Sequence, residues 1–261
     1  MQPSIVTTTP HRPSEAAVRR AKQTALELGG AYAARGSASI AALFATTGAG
    51  HIVVVGARGL QWHPLGSAPF IFHPGMSVVR AKRFARGETD PMLAAAAFAP
   101  GDSVLDGTAG LASDAILFAY AGGTDSCVMA LESEFPLYFT VSRGLKAYRA
   151  ESEELTAAMR RIDFIHADHL TYLRTLPDRS VDIVYFDPMF RTPVHESAGI
   201  SPLRTLANET KLGEEAVREA ARVARKTVVL KERRDGAEFA RLGFTITGSS
   251  VSPVAYGVIR I

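Results

Sequence analysis

The chain has 261 residues, of which 47% are hydrophobic and 21% charged, and its formal net charge is +3. This length and composition suit a soluble globular protein with one large domain or two small ones. The single cysteine, Cys127, excludes an intrachain disulfide and a cysteine-based zinc site, and we expect it to be a small core residue. With no apolar run of membrane-spanning length and no metal-binding histidine spacing, the sequence predicts a cytoplasmic protein without a membrane or metal partner.

Residues 1–75 are predicted to form a small α/β unit that helps to position a substrate. A helix opens at 12–15 and ends at Leu28, before two glycines, and a shorter one begins at Ser39. The strands predicted in this unit are 5–8, 31–33, 51–55, 59–63 and 70–73. Residues 76–261 are predicted to form the second domain.

Charge is distributed unevenly along the chain. Basic residues exceed acidic ones before Asp90 and again near the C-terminus, and the middle of the chain is acidic. Basic flanks of this kind suit a polyanion, although ordinary solvated helix faces would give the same pattern. Arg80 and Arg83, on a helix predicted at 77–86, are the candidate contacts for such a polyanion.

The stretch 100–119 reads as a turn, a short buried strand, a glycine-containing loop and an apolar helix. This order is typical of the first crossover in a doubly wound α/β sheet, where ligands bind beyond the strand ends. Thr108 and Ala112 stand where a dinucleotide-binding loop would have glycines, and Asp106 would repel a phosphate. A cationic ligand such as S-adenosylmethionine suits this carboxylate better, although a simple tight turn between strand and helix would also explain the stretch.

Three further strands are predicted to end in acidic residues. Glu132 closes the strand at 126–131, where a carboxylate can accept hydrogen bonds from both ribose hydroxyls. Asp168, after the strand at 163–167, could accept from an adenine amino group, cap the following helix, or do both.

The strand at 181–186 ends in Asp187-Pro188-Met189-Phe190. The aspartate side chain and the proline carbonyl offer acceptors, and the phenylalanine ring offers a stacking face for a base. This combination favours a planar exocyclic amine as the target. A fifth strand is predicted at 227–231, and two more follow after a short helix.

Residues 105–115 and 184–190 resemble two motifs of class I S-adenosylmethionine-dependent methyltransferases. Within that class the chain is similar to the RsmJ-like family, whose namesake methylates a guanine exocyclic amine in small-subunit ribosomal RNA. The resemblance covers roughly residue 72 to the C-terminus. Two departures indicate a divergent branch: Ala112 replaces the usual glycine, and Arg191 follows Phe190 where the family has proline.

The resemblance implies a Rossmann-like α/β fold with a mostly parallel seven-stranded sheet closed by a terminal hairpin, and S-adenosylmethionine as cofactor. The cofactor-binding residues that it implies are Asp106, Gly107, Thr108, Ala109, Gly110, Ser113, Asp114, Glu132, Ser133, Asp168 and His169. The implied catalytic residues are Asp187, Pro188 and Phe190. The expected substrate contacts are Arg80, Arg83, Met189 and Lys231.

The leading hypothesis is an enzyme that transfers a methyl group in line to an exocyclic amine of an RNA base, with guanine N2 of ribosomal RNA favoured. No general base is assigned, because the amine can lose its proton after transfer. A methyltransferase for a DNA base, a protein or a small molecule is the alternative enzyme. A non-catalytic nucleic-acid-binding module is the other alternative, but it gives no physical reason for carboxylates at four strand ends.

Overall fold

The protein is described by a computed structural model that covers residues 4–57, 59–188, 211–248 and 252–261. Within these residues the chain forms two sheets joined by two helices. No helix in this part of the chain is both long and apolar enough to cross a membrane. Cys127, expected in the core, is instead exposed, because it is the first residue of its strand and lies at the surface end of the sheet.

The N-terminal sheet has the strand order β2-β1-β3-β4-β5. The strand Ile5–Thr8, second in this order, pairs in parallel with a neighbour on each side, and the last three strands of the order form an antiparallel meander. Serine side chains cap both of its helices by accepting a backbone N–H in the first turn, as helix starts require. The elements are β1 (Ile5–Thr8), α1 (Glu15–Glu27), β2 (Ala31–Tyr32), α2 (Ile40–Thr47), β3 (His51–Gly56), β4 (Gly59–Pro64) and β5 (Phe70–Ile71).

Two helices, α3 (Met76–Ala85) and α4 (Pro91–Ala96), lead into the second sheet. Its first half alternates strands and helices, as expected for a parallel sheet covered on both faces. The elements of this half are β6 (Ser103–Asp106), α5 (Ser113–Gly122), β7 (Cys127–Glu132), α6 (Phe135–Ala147), α7 (Glu153–Arg161), β8 (Asp163–His166) and α8 (His169–Leu173). The second half contains β9 (Val181–Phe186), α9 (Glu214–Val223), β10 (Ala224–Arg233), α10 (Glu238–Leu242), β11 (Thr245–Thr247) and β12 (Val254–Arg260).

The second sheet has the order β11-β12-β10-β9-β6-β7-β8. Five strands run parallel, and β12 pairs antiparallel with both β10 and β11. The predicted mostly parallel seven-stranded sheet, closed by a terminal hairpin, is therefore confirmed. The chain moves outward from β6 to one side and returns through β9 to the other. This reversal opens a crevice beyond the ends of these two strands, where such sheets bind ligands.

The two sheets share one continuous apolar core. Trp62 of β4 is fully buried and meets the ring of Phe139 in α6 edge-on, at 6.1 Å between centroids. Phe72, which follows β5, lies against Gly144 of the same helix. The division into domains at residue 75 stays a prediction, but the apolar contacts run across it without interruption.

We expect Gly144→Ala to destabilise the protein although alanine favours helix. A Cβ at this position would lie 2.1 Å from Cγ of Phe72, so the buried ring would have to move, at a cost of about 1–3 kcal/mol. Lys146→Ala, on an exposed position of the same helix, is the control and should change the free energy of unfolding by less than about 0.5 kcal/mol. Denaturant unfolding of both variants measures the effect. Equal stability of Gly144→Ala and the unaltered protein would refute this packing between the units.

Candidate active site

The loop after β6 crosses the ends of the neighbouring strands. The Gly107 N–H donates to the Tyr185 carbonyl at 2.8 Å, and the Ala109 N–H donates to the Leu131 carbonyl at 2.9 Å. A side chain at Gly107 would stand 2.6 Å from the Phe186 ring, so only glycine allows this approach. Gly110 has a φ of +52°, a left-handed conformation that glycine adopts without strain. The small residues of the predicted motif therefore let the backbone lie close to the sheet edge.

The structure shows how the loop accommodates Ala112, which stands where the family has glycine. Its φ is +61°, in the left-handed region, and its side chain is fully buried where α5 begins. Glycine at this position would relieve the backbone strain that alanine carries. The change is small in volume, and the loop keeps its path.

Asp114 lies at the centre of a buried network of charges. One oxygen bonds to the Arg80 guanidinium, and the other accepts from the Tyr185 hydroxyl at 2.7 Å and from Lys231 Nζ at 3.1 Å. Burial by itself would raise the pKa of this carboxyl, but Lys231 and Arg80 hold the pKa below its ordinary value. Asp114 is therefore an ionised anchor that joins α3, α5, β9 and β10.

The Asp187 carboxylate lies beside this network at the end of β9. Its Oδ2 bonds to Lys231 Nζ at 2.6 Å, and its backbone N–H donates to Thr108 Oγ1 at 2.6 Å. Burial raises the pKa of Asp187 to about 6, with the charge of Asp114 adding to the effect and Lys231 opposing it. The threonine thus fixes the strand end against the glycine-containing loop. Pro188 follows immediately, whereas Met189 and Phe190 lie outside the described residues.

Asp106 is the third carboxylate of the cluster and is almost completely buried. Its Oδ1 accepts from the Thr108 N–H at 3.1 Å. Burial and the neighbouring charge of Asp114 raise its pKa well above the ordinary value. With Asp90, which pairs with Arg80, four carboxyl groups thus stand against only two cations, Lys231 and Arg80. A ligand with positive charge fits this excess, and the ammonium and sulfonium of S-adenosylmethionine carry such charges.

Glu132 lies at the end of β7, separate from this cluster. Its Oε1 accepts from the Glu134 N–H at 2.8 Å, and burial raises its pKa to about 7. Asp168 caps α8, since its Oδ1 accepts from the backbone N–H of Thr171 at 2.9 Å. Of the two roles open to Asp168, capping is thus observed. The adenine contact stays a prediction.

The remaining cofactor candidates lie around the same crevice. The His169 ring packs edge-on against Phe186, at 5.7 Å between ring centroids, and burial lowers its pKa. The carbonyl of Ser133 lies 3.0 Å from a ring nitrogen of His166. Ser113 opens α5 directly after the loop. Among the residues that the structure describes, no group of three or more His, Cys, Asp or Glu side chains is arranged so that it could hold a metal ion.

Two of the expected substrate contacts, Arg80 and Lys231, lie within the buried network, and their contact with substrate stays a prediction. The Arg80 side chain is only 17% exposed and donates twice to Asp90, at 2.9 Å each, in addition to its bond with Asp114. A nucleic-acid phosphate would have to displace these carboxylates to reach it. Lys231 is likewise bonded to two carboxylates, so we assign both cations to the buried network. Arg83 is exposed but paired with Glu88 at 2.7 Å.

The sequence offered little sign of two members of the network. Tyr185 stands within an apolar strand, where it reads as another core residue, and Asp90 precedes a proline, where it reads as a helix cap. Asp90 does cap α4, by accepting from the Met92 N–H at 2.9 Å, and it binds Arg80 as well. A hydroxyl within a mostly apolar strand is the signal that could have marked Tyr185, whereas the sequence around Asp90 indicates only the helix cap.

We expect Asp106→Ala and Glu132→Ala each to weaken S-adenosylmethionine binding by about 1–3 kcal/mol, because polar partners would lose a charged acceptor. Affinity should also fall as the pH drops below about 7, since protonation of Glu132 removes the carboxylate. Calorimetry across pH measures both effects, and Glu132→Gln should flatten the pH response. Asp125→Ala, before the opposite end of β7, is the control. Unchanged affinity in both alanine variants would remove these residues from the cofactor site.

The chain is similar to proteins from several bacteria. It is 42% identical to a Bacillus subtilis protein named YpiP, described as uncharacterized, over 97% of this chain and 98% of that one. It is 30% identical to ribosomal RNA small subunit methyltransferase J of Acinetobacter baumannii, over half of each protein. The Rhodopseudomonas palustris protein of the same name is 34% identical over 47% of this chain and 58% of its own length.

A solved structure shares the fold of this chain, and a family model shows its class. The crystal structure of a SAM-dependent methyltransferase from Neisseria gonorrhoeae has the same fold, with a TM-score of 0.62 and 17% identity over 98% of this chain and 96% of that one. A family model described as "Putative SAM-dependent methyltransferase" matches residues 66–244. That match includes the loop after β6, the buried cluster and the end of β9. The chain therefore belongs to the family of S-adenosylmethionine-dependent methyltransferases.

Proposed function

We propose that this methyltransferase acts on an exocyclic amine of a base in ribosomal RNA, with N2 of guanine in the small subunit as the favoured target. The observation that carries the proposal is the Asp187-Pro188 end of β9, bonded through Thr108 to the loop of the cofactor site. The relatives named as small-subunit ribosomal RNA methyltransferases support the RNA substrate. Those matches cover about half of each relative. The RNA substrate of this chain is therefore a proposal.

Asp187 and Pro188 would orient the target amine. A carboxylate oxygen and a backbone carbonyl accept the two N–H groups of a planar amine, which directs the nitrogen lone pair out of the base plane. Phe190 would hold the base by stacking. When bound, S-adenosylmethionine supplies a methyl group on a positively charged sulfur. The target nitrogen gains that methyl group and releases one proton, and no general base is assigned.

The cofactor would be held by the loop and carboxylates described above. Asp106 suits the ammonium group, and Glu132 suits the ribose hydroxyls. The backbone of Gly107 to Gly110 leaves room for close approach because no side chain projects from either glycine. These placements bring a methyl donor next to the end of β9.

We propose further that the N-terminal unit holds the RNA backbone. Residues 1–75 contain six basic residues and two acidic ones. The acidic residues, Glu15 and Glu27, pair with Arg19 and with Arg143. Within the described part of the unit, the basic side chains with no carboxylate partner are Arg12, Arg20, Lys22 and Arg35. These four are the phosphate contacts that we propose within this unit, whereas Arg80 and Arg83 lie outside it.

We expect Asp187→Ala and Phe190→Ala to abolish methyl transfer or slow it greatly while cofactor affinity stays within a few-fold of the unaltered protein. The first change removes an acceptor for the amine, and the second removes a stacking contact of about 1–3 kcal/mol. Transfer from radiolabelled cofactor into RNA, DNA, protein and metabolite fractions, with identification of the product, measures the activity. Melting temperature and cofactor affinity are measured on the same samples.

Asp182→Ala controls for loss of stability, because Asp182 lies at the other end of β9, where it bonds Arg225 and Ser103. It should lower the melting temperature and keep the same product. Label in another fraction would redirect the proposal to that substrate class. Full activity in a stable Asp187→Ala protein would refute the proposal that Asp187 orients the target amine.

RNA affinity should fall steeply with salt, because phosphate contacts release bound counterions. We expect Arg20→Ala and Lys22→Ala each to weaken RNA binding and to reduce the salt slope by about one if each contacts one phosphate. Arg19→Ala is the matched control on the same helix, since Arg19 is paired with Glu15. Filter binding over a range of salt concentrations measures the slopes. A flat response in the unaltered protein would favour a small-molecule substrate.

A further inference from the structure

Lys231 is more buried than is usual for a lysine side chain. It is 21% exposed, and its ammonium bonds to Asp187 at 2.6 Å and to Asp114 at 3.1 Å. Leu230 of β10 is in register with Phe186 of β9, so Lys231 and Asp187 are the next residues along two adjacent parallel strands. The strand pairing therefore brings the ammonium and the carboxylate together.

The other side of Lys231 is anchored by a chain of alternating charges. Asp90, Arg80, Asp114, Lys231 and Asp187 follow one another through direct ion pairs. The Tyr185 hydroxyl adds a hydrogen bond to Asp114. Because every cation in the chain lies between two carboxylates, the ammonium is held from both sides. A substrate phosphate would have to break two of its ion pairs.

We infer that Lys231 is a positioning residue, which holds one oxygen of Asp187 and thereby directs the other oxygen toward the target amine. This inference rests on the proposed function, in which Asp187 accepts a hydrogen bond from that amine. The contact of 2.6 Å is made to Oδ2 alone. Asp187 is 27% exposed, so the carboxylate is partly open to the crevice.

Lys231 also balances the charges around Asp187. The groups that face this carboxylate are Asp106 from β6, Asp114 from α5, Tyr185 from β9 and Lys231 from β10, while Tyr256 from β12 faces Asp114 and Lys231. Lys231 is the cation that contacts it directly. Removing the ammonium would leave Asp187 among like charges and favour its protonated form. A protonated carboxylic acid is a poorer hydrogen-bond acceptor for the amine. The titration of Asp187 and the pH dependence of methylation should therefore both report the effect of Lys231.

Two substitutions should move the titration of Asp187 in opposite directions. Lys231→Met removes a positive neighbour and should raise the apparent pKa above about 6, by about 1–3 units. Asp114→Asn removes a negative neighbour and should lower it. Lys231→Arg keeps the positive charge, so the apparent pKa of Asp187 in this variant should stay close to its value in the unaltered protein. Carbon-detected NMR of the cofactor-free protein, assigned with Asp187→Asn, measures these values.

The same shift should appear in catalysis. The acid limb of kcat/KM for RNA methylation should move to higher pH in Lys231→Met, with a tenfold loss per unit on that limb and recovery at higher pH. Lys226→Met is the matched control, because Lys226 lies at the other end of β10 and pairs with the buried Asp102. Its acid limb should not move, although its melting temperature should fall.

Three results would overturn the inference: an Asp187 titration that does not move in Lys231→Met, a shift of the same sign in Asp114→Asn, or a loss of activity that is equal at every pH. If Lys231→Met does not fold, Asp114→Asn and Lys231→Arg decide the sign and the charge requirement. Failure of the proposed function is a separate result. It would appear as cofactor binding without RNA methylation in the unaltered protein, and the NMR titration would then show whether Lys231 still controls Asp187.

Discussion

The burial of Asp114 is the constraint on which the catalytic half of the structure depends. An ionised carboxylate in a protein interior is costly unless it is paired and hydrogen-bonded. Here Arg80, Lys231 and Tyr185 satisfy it from three separate elements. Their positions are therefore linked, because displacing any one of them removes part of the pairing that keeps the buried Asp114 ionised. The helix that follows the N-terminal unit is tied in this way to the ends of the central strands.

This network also separates two kinds of polar group at the strand ends. Asp114, Arg80 and Lys231 satisfy one another, whereas Asp106 and Glu132 have pKa values raised by burial. For these two carboxyl groups the raised pKa reflects burial without a directly bonded cation among the described residues. The first set supports the architecture, and the second is available to a ligand. The same crevice thus contains a network of paired charges and, beside it, carboxyl groups with which a cationic cofactor can pair.

The sequence predicted the fold and the strand-end acids because both follow from local patterns. Alternating strands and helices specify a parallel sheet, and in such a sheet Asp106, Glu132, Asp168 and Asp187 must come to the same edge. The network could not be read in this way. Tyr185 and Asp114 are 71 positions apart, and Arg80 and Asp114 are 34 apart, so only the packed fold brings them together. Arg80 looked like a surface cation for that reason.

The interlocking of Phe72 with Gly144 limits how the protein could choose its target. A unit that shares a core with the second sheet cannot swing as a lid, since movement would expose buried aromatic side chains. If the N-terminal unit binds the RNA as proposed, the fold fixes the distance between the bound phosphates and the end of β9. The enzyme would then select a base by its distance along the folded RNA from the phosphates that the N-terminal unit binds.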